Sequence, residues 1–379
     1  MSRRRRLLTI SHSYVVALNR RLADEMARVG EWDVVAAAPR HFPGGLGPLV
    51  LAPAPDERCR VEPVSVRRAR WPHVMSYGTE LRTLLNDDWD VVHCWEEPYV
   101  LAGAQVARWA RPSARVVFAT FQNIEKRYPP PLSWFEHAAM RRADGWIAFG
   151  FTVESALMTK AAYSARPHRV IPPGVDLRVF QPDCDAGRRT RAAAGWTQDG
   201  TPVVGYVGRF VPEKGLRVLI AALDRVEQPW RALLVGGGPL EAELREWARR
   251  YGNRVYIATG VKHSDVPDYL NAMDVLAAPS LTTARWREQF GRMLVEAFAC
   301  GVPVVASMSG EIPHVVGDSG ILVREGDHQA QAWSDAIASL LLDAPRRAEL
   351  SRLGRERAER YRWSRVAAEH LGFFDALTA

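Results

Sequence analysis

Two carboxylates, Glu288 and Glu296, stand with seven residues between them in a segment that runs from Arg287 to Gly301. Within it Met293, Leu294, Ala297 and Phe298 recur at one-turn spacing, and Gly301 and Pro303 follow as stop signals, so the spacing predicts a buried helix from Met293 to Cys300. Gln289, Phe290 and Gly291, just ahead of it, offer no favoured capping side chain. The first amides of the helix are therefore left without a side-chain acceptor, and such donors suit a phosphate. Two acids beside a phosphate do not bind it; they suit neutral hydroxyls, as on a sugar or a ribose. A nucleotide sugar offers both groups.

A second loop carries the complementary charge. The apolar run Val203–Val207 is followed by Gly208-Arg209-Phe210-Val211-Pro212-Glu213-Lys214-Gly215-Leu216. Arginine grips phosphate oxygens through paired N–H groups and lysine acts as a compact point charge, so Arg209 and Lys214 could neutralise a departing diphosphate. Alone, this segment reads equally well as a surface loop with snorkelling basic side chains; beside the Glu288 segment it reads as a ligand loop. Gly236-Gly237-Gly238-Pro239 has the look of a dinucleotide fingerprint, but the third glycine is missing and Glu241 and Glu243 in the first helical turn would repel a pyrophosphate. A tight turn that brings backbone at Gly237 to a ligand is the better reading.

Other polar groups fall at predicted strand ends. His93, Glu96 and Glu97 could face a cleft, although a structural histidine is the better reading of His93. The loop Ala119–Pro129, with Gln122 and Asn123, is polar and aromatic enough to build acceptor specificity or simply to fold back on the surface. Ser13 and Tyr14 follow the first strand. Ser309–His314 either borders the ligand or forms a plain turn. Asp88-Trp89-Asp90 pairs two acids but leads directly into a buried strand, so no metal site is expected.

The elements that must position these residues follow from periodicity. Short Val, Ile and Leu runs alternate with helix-period stretches, which indicates an α/β fold with parallel sheets covered on both faces. The first half predicts strands at Leu7–Ser11, Asp33–Ala38, Asp90–Cys94, Val116–Thr120, Trp146–Phe149 and Val170–Ile171. The second predicts strands at Val203–Val207, Ala232–Val235, Val255–Ala258, Val275–Ala278 and Val304–Ala306. A Pro- and Gly-rich stretch from Pro172 to Gly200 separates them. The implied organisation is two doubly wound, Rossmann-like domains with ligands at the carboxyl ends of their strands, in a central cleft.

At 379 residues with 47% hydrophobic side chains the chain is long enough for two separate cores. No apolar run approaches the roughly 20 residues that cross a bilayer, and the start does not read as a secretory signal, so the expected location is the cytoplasm. A net charge of +7 fits an anionic substrate. The run Arg3–Arg6 reads as a solvated segment, with peripheral docking to an anionic membrane at its inner face as the alternative. The remaining basic residues are spread along helices without a nucleic-acid module, which argues against nucleic acid. Four well-separated cysteines fit reduced structural thiols.

The segments Gly208–Gly215, Gly236–Leu240, Pro279–Gly301 and Gly310–Val316 together resemble the C-terminal domain of family 4 glycosyltransferases, retaining enzymes of GT-B fold. The resemblance is specific over Val203–Gly320 and looser over the first half. It implies an acceptor domain at 1–174, a nucleotide-sugar domain at 175–360, and a C-terminal helix at 361–379 that crosses back to the first domain. It also implies that Glu288 contacts hydroxyls of the transferred sugar, that Glu296 holds the ribose, and that Gln289, Phe290, Gly291, Gly208 and Gly237 border the donor. Arg209 and Lys214 match the family's leaving-group cations. No metal or other cofactor is implied; the donor is a co-substrate. With no nucleophile evident, same-face attack in which the donor phosphate helps take the acceptor proton is the favoured route. The chain departs from the family where Ser11-His12-Ser13-Tyr14 replaces a glycine pair, where Phe121-Gln122-Asn123 replaces a histidine, and where His314 replaces a glutamate. The acceptor is thus unidentified: a saccharide, a lipid-linked saccharide, a secondary metabolite or a small polyol. A nucleotide-sugar epimerase of related shape and a non-catalytic nucleotide-sugar or lipid-binding protein are the alternatives, and an NAD-dependent oxidoreductase ranks last.

Overall fold

A computed structural model describes residues 3–44, 47–52, 54, 56–196, 199–326 and 329–379. The chain divides into two compact units, Met1–Gly174 with Trp363–Ala379, and Val175–Arg362.

Unit 1 holds seven parallel strands: β1 (Arg5–Ile10), β2 (Trp32–Pro39), β3 (Arg60–Val64), β4 (Val91–Cys94), β5 (Arg115–Thr120), β6 (Gly145–Ala148) and β7 (His168–Val170). Their spatial order is β7-β6-β5-β4-β1-β2-β3. Leu7, Leu8, Val91, Val92, Val116, Val117 and Phe118 have no exposed surface. A parallel strand covered on both faces has no polar side to show, which is why these segments read as unbroken apolar runs. The helix Trp363–Thr378 belongs to this unit and buries Val366, Ala367, Phe373 and Phe374 with Trp32 and Val34 in one of its two cores.

Unit 2 holds six parallel strands: β8 (Val203–Arg209), β9 (Arg231–Gly237), β10 (Val255–Ala258), β11 (Val275–Ala278), β12 (Val304–Ser307) and β13 (Gly320–Val323), in the order β10-β9-β8-β11-β12-β13. Both sheets therefore share the doubly wound order in which the direction of winding reverses between their first and fourth strands, and ligands of open α/β sheets bind at that reversal.

The expected fold class is thus present, with two strands of the parallel sheets that the sequence pattern did not reveal. β3 and β13 lie at sheet edges and are only partly buried, and β3 contains Pro63, which an edge strand tolerates and a central one does not. The basic start is exposed at Arg3, Arg4 and Arg5, as a solvated run is, and three of its four arginines pair with surface acids. Arg3 Nη1 donates to Asp88 Oδ2 at 2.6 Å, the backbone N–H of Arg6 donates to Asp90 Oδ2 at 2.7 Å, Arg6 Nη2 reaches Asp87 at 2.8 Å, and Arg5 pairs with Asp375. The acids around Trp89 are held by these arginines at the amino end of β4. Among the described residues no helix is long and apolar enough to cross a membrane.

Candidate active site

In unit 2 the loops that leave β8 and β11, the two strands flanking the reversal, are locked together. Gly215 has φ +71°, and a Cβ there would lie 1.8 Å from the carbonyl oxygen of Pro279, so only glycine lets the Lys214 turn approach the β11 loop. The backbone N–H of Leu281 donates to the carbonyl of Glu213 at 2.9 Å and closes the same contact.

This packing brings Lys214 and Glu288, 74 residues apart in sequence, into direct contact. Lys214 Nζ donates to Glu288 Oε2 at 2.5 Å, Ser280 Oγ donates to the same oxygen at 2.7 Å, and the ammonium lies 5.1 Å from the centre of the Trp286 ring. Both partners are largely buried. A carboxylate and an ammonium removed from water together need this kind of geometry and these extra hydrogen bonds to offset their desolvation. The turn after β12 fixes the acid from the other side. There the Glu311 N–H donates to the Glu288 carbonyl at 3.0 Å, and Thr282 and Ser309 hydroxyls meet at 3.0 Å. Arg209 differs in being 65% exposed, with Glu213 no closer than 4.0 Å. It is an exposed cation on the same loop as a buried one.

The helix after Glu288 spans Arg292–Ala299, begins at Gly291 with φ +80°, and has no side-chain cap. Leu294, Val295, Ala297 and Phe298 are buried in the core of the unit, each contributing about 1–3 kcal/mol by leaving water. Phe290 is buried against Tyr361, its ring centroid 5.5 Å away, so Phe290 presents backbone rather than side chain; Gln289 is exposed. Glu296, on the second turn, is buried and bonded through Oε1 to His263 Nε2 at 2.9 Å. Gly236 packs against the backbone of Gly208, where a Cβ would come within 1.8 Å of its oxygen, whereas Gly237 has open space around its Cα. Backbone at Gly237 and Gly208 therefore flanks Arg209, and the Phe210 N–H donates to the Gly237 carbonyl at 2.7 Å.

Among the residues singled out in unit 1, two are core groups instead of an exposed lining. Tyr14 is fully buried with its hydroxyl 2.7 Å from Thr9 Oγ1, and burial pushes its pKa up. His93 is fully buried beside His370, with 5.5 Å between ring centroids; burial, then His370, holds its pKa well below the ordinary value. Both side chains were candidate acceptor contacts and neither reaches the surface, because the first turn after β1 folds Tyr14 inward and His93 sits within β4. Gln122 and Asn123 are buried in the loop after β5, with Tyr128 donating to Gln122 Oε1 at 3.2 Å. Their neighbour Glu97 accepts from Thr120 Oγ1 at 2.6 Å and from the Phe121 N–H at 2.8 Å, and burial pushes its pKa up to about 7. Ser13 remains partly exposed, its hydroxyl 2.9 Å from that of Ser11.

Sequence reasoning did not select His12, Ser280, His263 or Tyr77. His12 follows β1, its N–H donates to Glu96 Oε1 at 2.6 Å, and its Nδ1 lies 2.7 Å from Glu96 Oε2. The one signal for it was the polar loop that replaces a glycine pair.

Two doubly wound sheets, with the ligand-type groups collected at the reversal points, define a protein of GT-B fold. Residues 189–357 match the family model described as glycosyl transferases group 1, and residues 14–179 match that of glycosyltransferase family 4. The chain belongs to glycosyltransferase family 4. It is 36% identical over 221 residues to a D-inositol 3-phosphate glycosyltransferase of Xylanimonas cellulosilytica, covering 55% of this chain and 51% of that protein. The chain spans about half the length of the first such curated relatives. In structure it is similar to sucrose-phosphate synthase from Thermosynechococcus elongatus (TM-score 0.74, 24% identity, 99% of each chain). It is equally similar to HepE of Anabaena, solved with UDP and glucose (TM-score 0.74, 20% identity, 98% of this chain and 100% of that one). At these identities the likeness is one of fold.

Proposed function

We propose that the chain transfers a sugar from a nucleoside diphosphate donor to a hydroxyl of an acceptor held mainly by unit 1, with retention of anomeric configuration and without a metal. The observation that carries this reading is the buried Lys214–Glu288 pair at the reversal of the unit 2 sheet, flanked by the exposed Arg209. Glu288, held by Lys214 and Ser280, offers a fixed acceptor to hydroxyls of the transferred sugar. Lys214 retains two further N–H donors for the diphosphate, and Arg209 can swing onto it from solvent. Backbone at Phe290 and Gly291 meets the phosphates at the uncapped helix start, and Glu296, oriented by His263, takes the ribose hydroxyls. The relative that acts on D-inositol 3-phosphate makes a polyol phosphate the first acceptor to try, and the neighbour solved with UDP makes UDP-glucose the first donor.

The test measures release of nucleoside diphosphate by the purified full chain. Arg209→Ala and Lys214→Ala should each lose on the order of 10² to 10³ in turnover, the cost of removing a preorganised charge-stabilising donor. Full activity in both folded variants would refute the assignment. The anomeric proton of the product, read by NMR, decides retention.

A further inference from the structure

A short hairpin of unit 1, in which Val66–Arg67 pairs with Ser76–Tyr77, buries Met75 and Tyr77 and turns its tip outward. Arg67, Arg68, Arg70, Trp71, Pro72 and His73 are all exposed there, Trp71 to 69%. The tip is ordered by its own backbone. The Trp71 N–H donates to the Arg68 carbonyl at 2.9 Å, the Met75 N–H to the Trp71 carbonyl at 2.8 Å, and the Leu101 N–H to the His73 carbonyl at 3.1 Å. Aromatic rings continue this surface into a second segment: His73 lies 5.9 Å from Tyr99, which stacks on Tyr128 with 4.2 Å between centroids. Beside Tyr128, Lys126 and Arg127 are exposed. The helix Leu132–Arg142 that follows shows Trp134, 66% exposed, together with exposed His137, Ala138 and Arg141 at the three- and four-residue spacing of one face.

The charge of the two segments is unbalanced. Arg67, Arg68, Arg70, Lys126, Arg127 and Arg141 form no ion pair with an acid among the described residues. Glu136 is taken up by Lys160 at 2.7 Å, which leaves Glu125 as the one exposed acid of these segments. In the basic start, by contrast, Arg3, Arg5 and Arg6 pair with acids. An indole has an apolar body and a single N–H, so it is best placed where hydrocarbon meets water, and cations around it gain from anionic headgroups. We propose that this face of unit 1, and not the run Arg3–Arg6, docks the chain peripherally on an anionic membrane surface. Trp71 and Trp134 enter the headgroup layer, and the six cations meet lipid phosphates. Single-stranded nucleic acid is taken up in a basic groove lined with aromatic rings; a tryptophan on an outward hairpin tip fits a flat surface that it can penetrate.

The inference stands apart from the transferase reading, because binding is measured without turnover. The full chain is sedimented with vesicles of phosphatidylcholine, with and without phosphatidylglycerol. It should bind the anionic vesicles and not the neutral ones, and release them as salt rises from about 0.1 M to about 1 M and the Debye length falls from about 10 Å to about 3 Å. A basic residue near such a surface is worth about fivefold in partitioning, so the triple variant Arg67→Gln, Arg68→Gln, Arg70→Gln should bind about 10²-fold more weakly. The double variant Arg3→Gln, Arg5→Gln should bind as wild type does. Brominated acyl chains should quench part of the tryptophan emission of wild type, and the double variant Trp71→Ala, Trp134→Ala should lose that quenching. All these side chains are exposed, and circular dichroism checks that each variant is folded. Equal binding to the two kinds of vesicle, full binding by the triple variant, a larger loss in the Arg3 and Arg5 variant, or quenching that survives loss of both tryptophans overturns the proposal. Retention on single-stranded RNA without vesicle binding also overturns it and assigns the face to nucleic acid.

Discussion

His93 and His370 are both fully buried in unit 1, and the Nε2 of each has no hydrogen-bond partner among the described residues. His370 sits on the helix Trp363–Thr378, donating from Nδ1 to the Val366 carbonyl at 2.8 Å, and burial lowers its pKa to about 4. An unfolded histidine titrates near 6.5. The unfolded chain therefore binds this proton first as pH falls, and stability contributed by the neutral ring is lost from about pH 6.5 down to about pH 4. Between pH 7 and pH 5 the loss from His370 works out at about 2 kcal/mol, from a shift worth about 1.4 kcal/mol per pH unit. His93 acts in the same direction. Glu97 opposes both: its pKa raised to about 7 makes the folded state the better proton binder over the same window.

The overall pH slope is therefore not diagnostic, and the measurement must be a difference. His370→Leu replaces the ring with an apolar group of similar volume. Urea denaturation followed by tryptophan fluorescence at pH 7 and pH 5 should show the variant gaining on wild type by about 2 kcal/mol at the lower pH, because only wild type has this proton to lose. A gap that changes by less than about 0.5 kcal/mol between the two pH values would show that His370 is not the buried neutral base described here.

Gly215→Ala forces a Cβ onto the Pro279 carbonyl at a left-handed backbone position. It should cost about 1–3 kcal/mol of stability and reduce kcat/KM by separating Lys214 from Glu288; circular dichroism melts and steady-state kinetics check the two effects. His263→Ala removes the group that orients Glu296 and should raise KM for the donor several-fold with a smaller change in kcat. Ser280→Ala leaves Glu288 Oε2 with Lys214 alone and should lower kcat by less than Lys214→Ala does, measured with the same nucleotide-release assay. Turnover in EDTA should equal turnover in magnesium if the cations of unit 2 carry the leaving-group charge.

The parts of this molecule legible in the sequence were those with a local signature. Apolar runs such as Val91-Val92 and Val203-Val204 mark central parallel strands because both faces are covered, and one-turn spacing from Met293 to Phe298 marks the helix behind Glu288. Edge strands escaped because partial burial leaves no continuous run, as in β3 with Glu62 and Pro63. Side-chain partners escaped for a different reason. Whether Glu288 meets Lys214 depends on β8 lying beside β11, and no spacing within either segment carries that information. The same holds for Glu96 and His12, which meet because β1 lies beside β4. Tyr14 was misplaced because a residue at a strand end points to the core or to the surface by a rotation that periodicity over a few residues does not fix, whereas the burial of His93 agrees with its structural reading.

The two sheets solve one physical problem twice. At the reversal, the loops leaving the first and fourth strands meet, and each unit puts a buried carboxylate from the fourth-strand loop there. A buried carboxylate needs a partner, and in each unit the partner comes from the first-strand loop opposite: Lys214 for Glu288 and His12 for Glu96. The pairs differ in the partner's chemistry. An ammonium is a compact point charge, which suits a group that must meet a diphosphate as negative charge develops. An imidazole bound to a carboxylate through one ring nitrogen keeps a second nitrogen that can donate or accept, which an ammonium cannot do. The two reversals thus differ in the base that each first-strand loop supplies to an otherwise similar buried carboxylate.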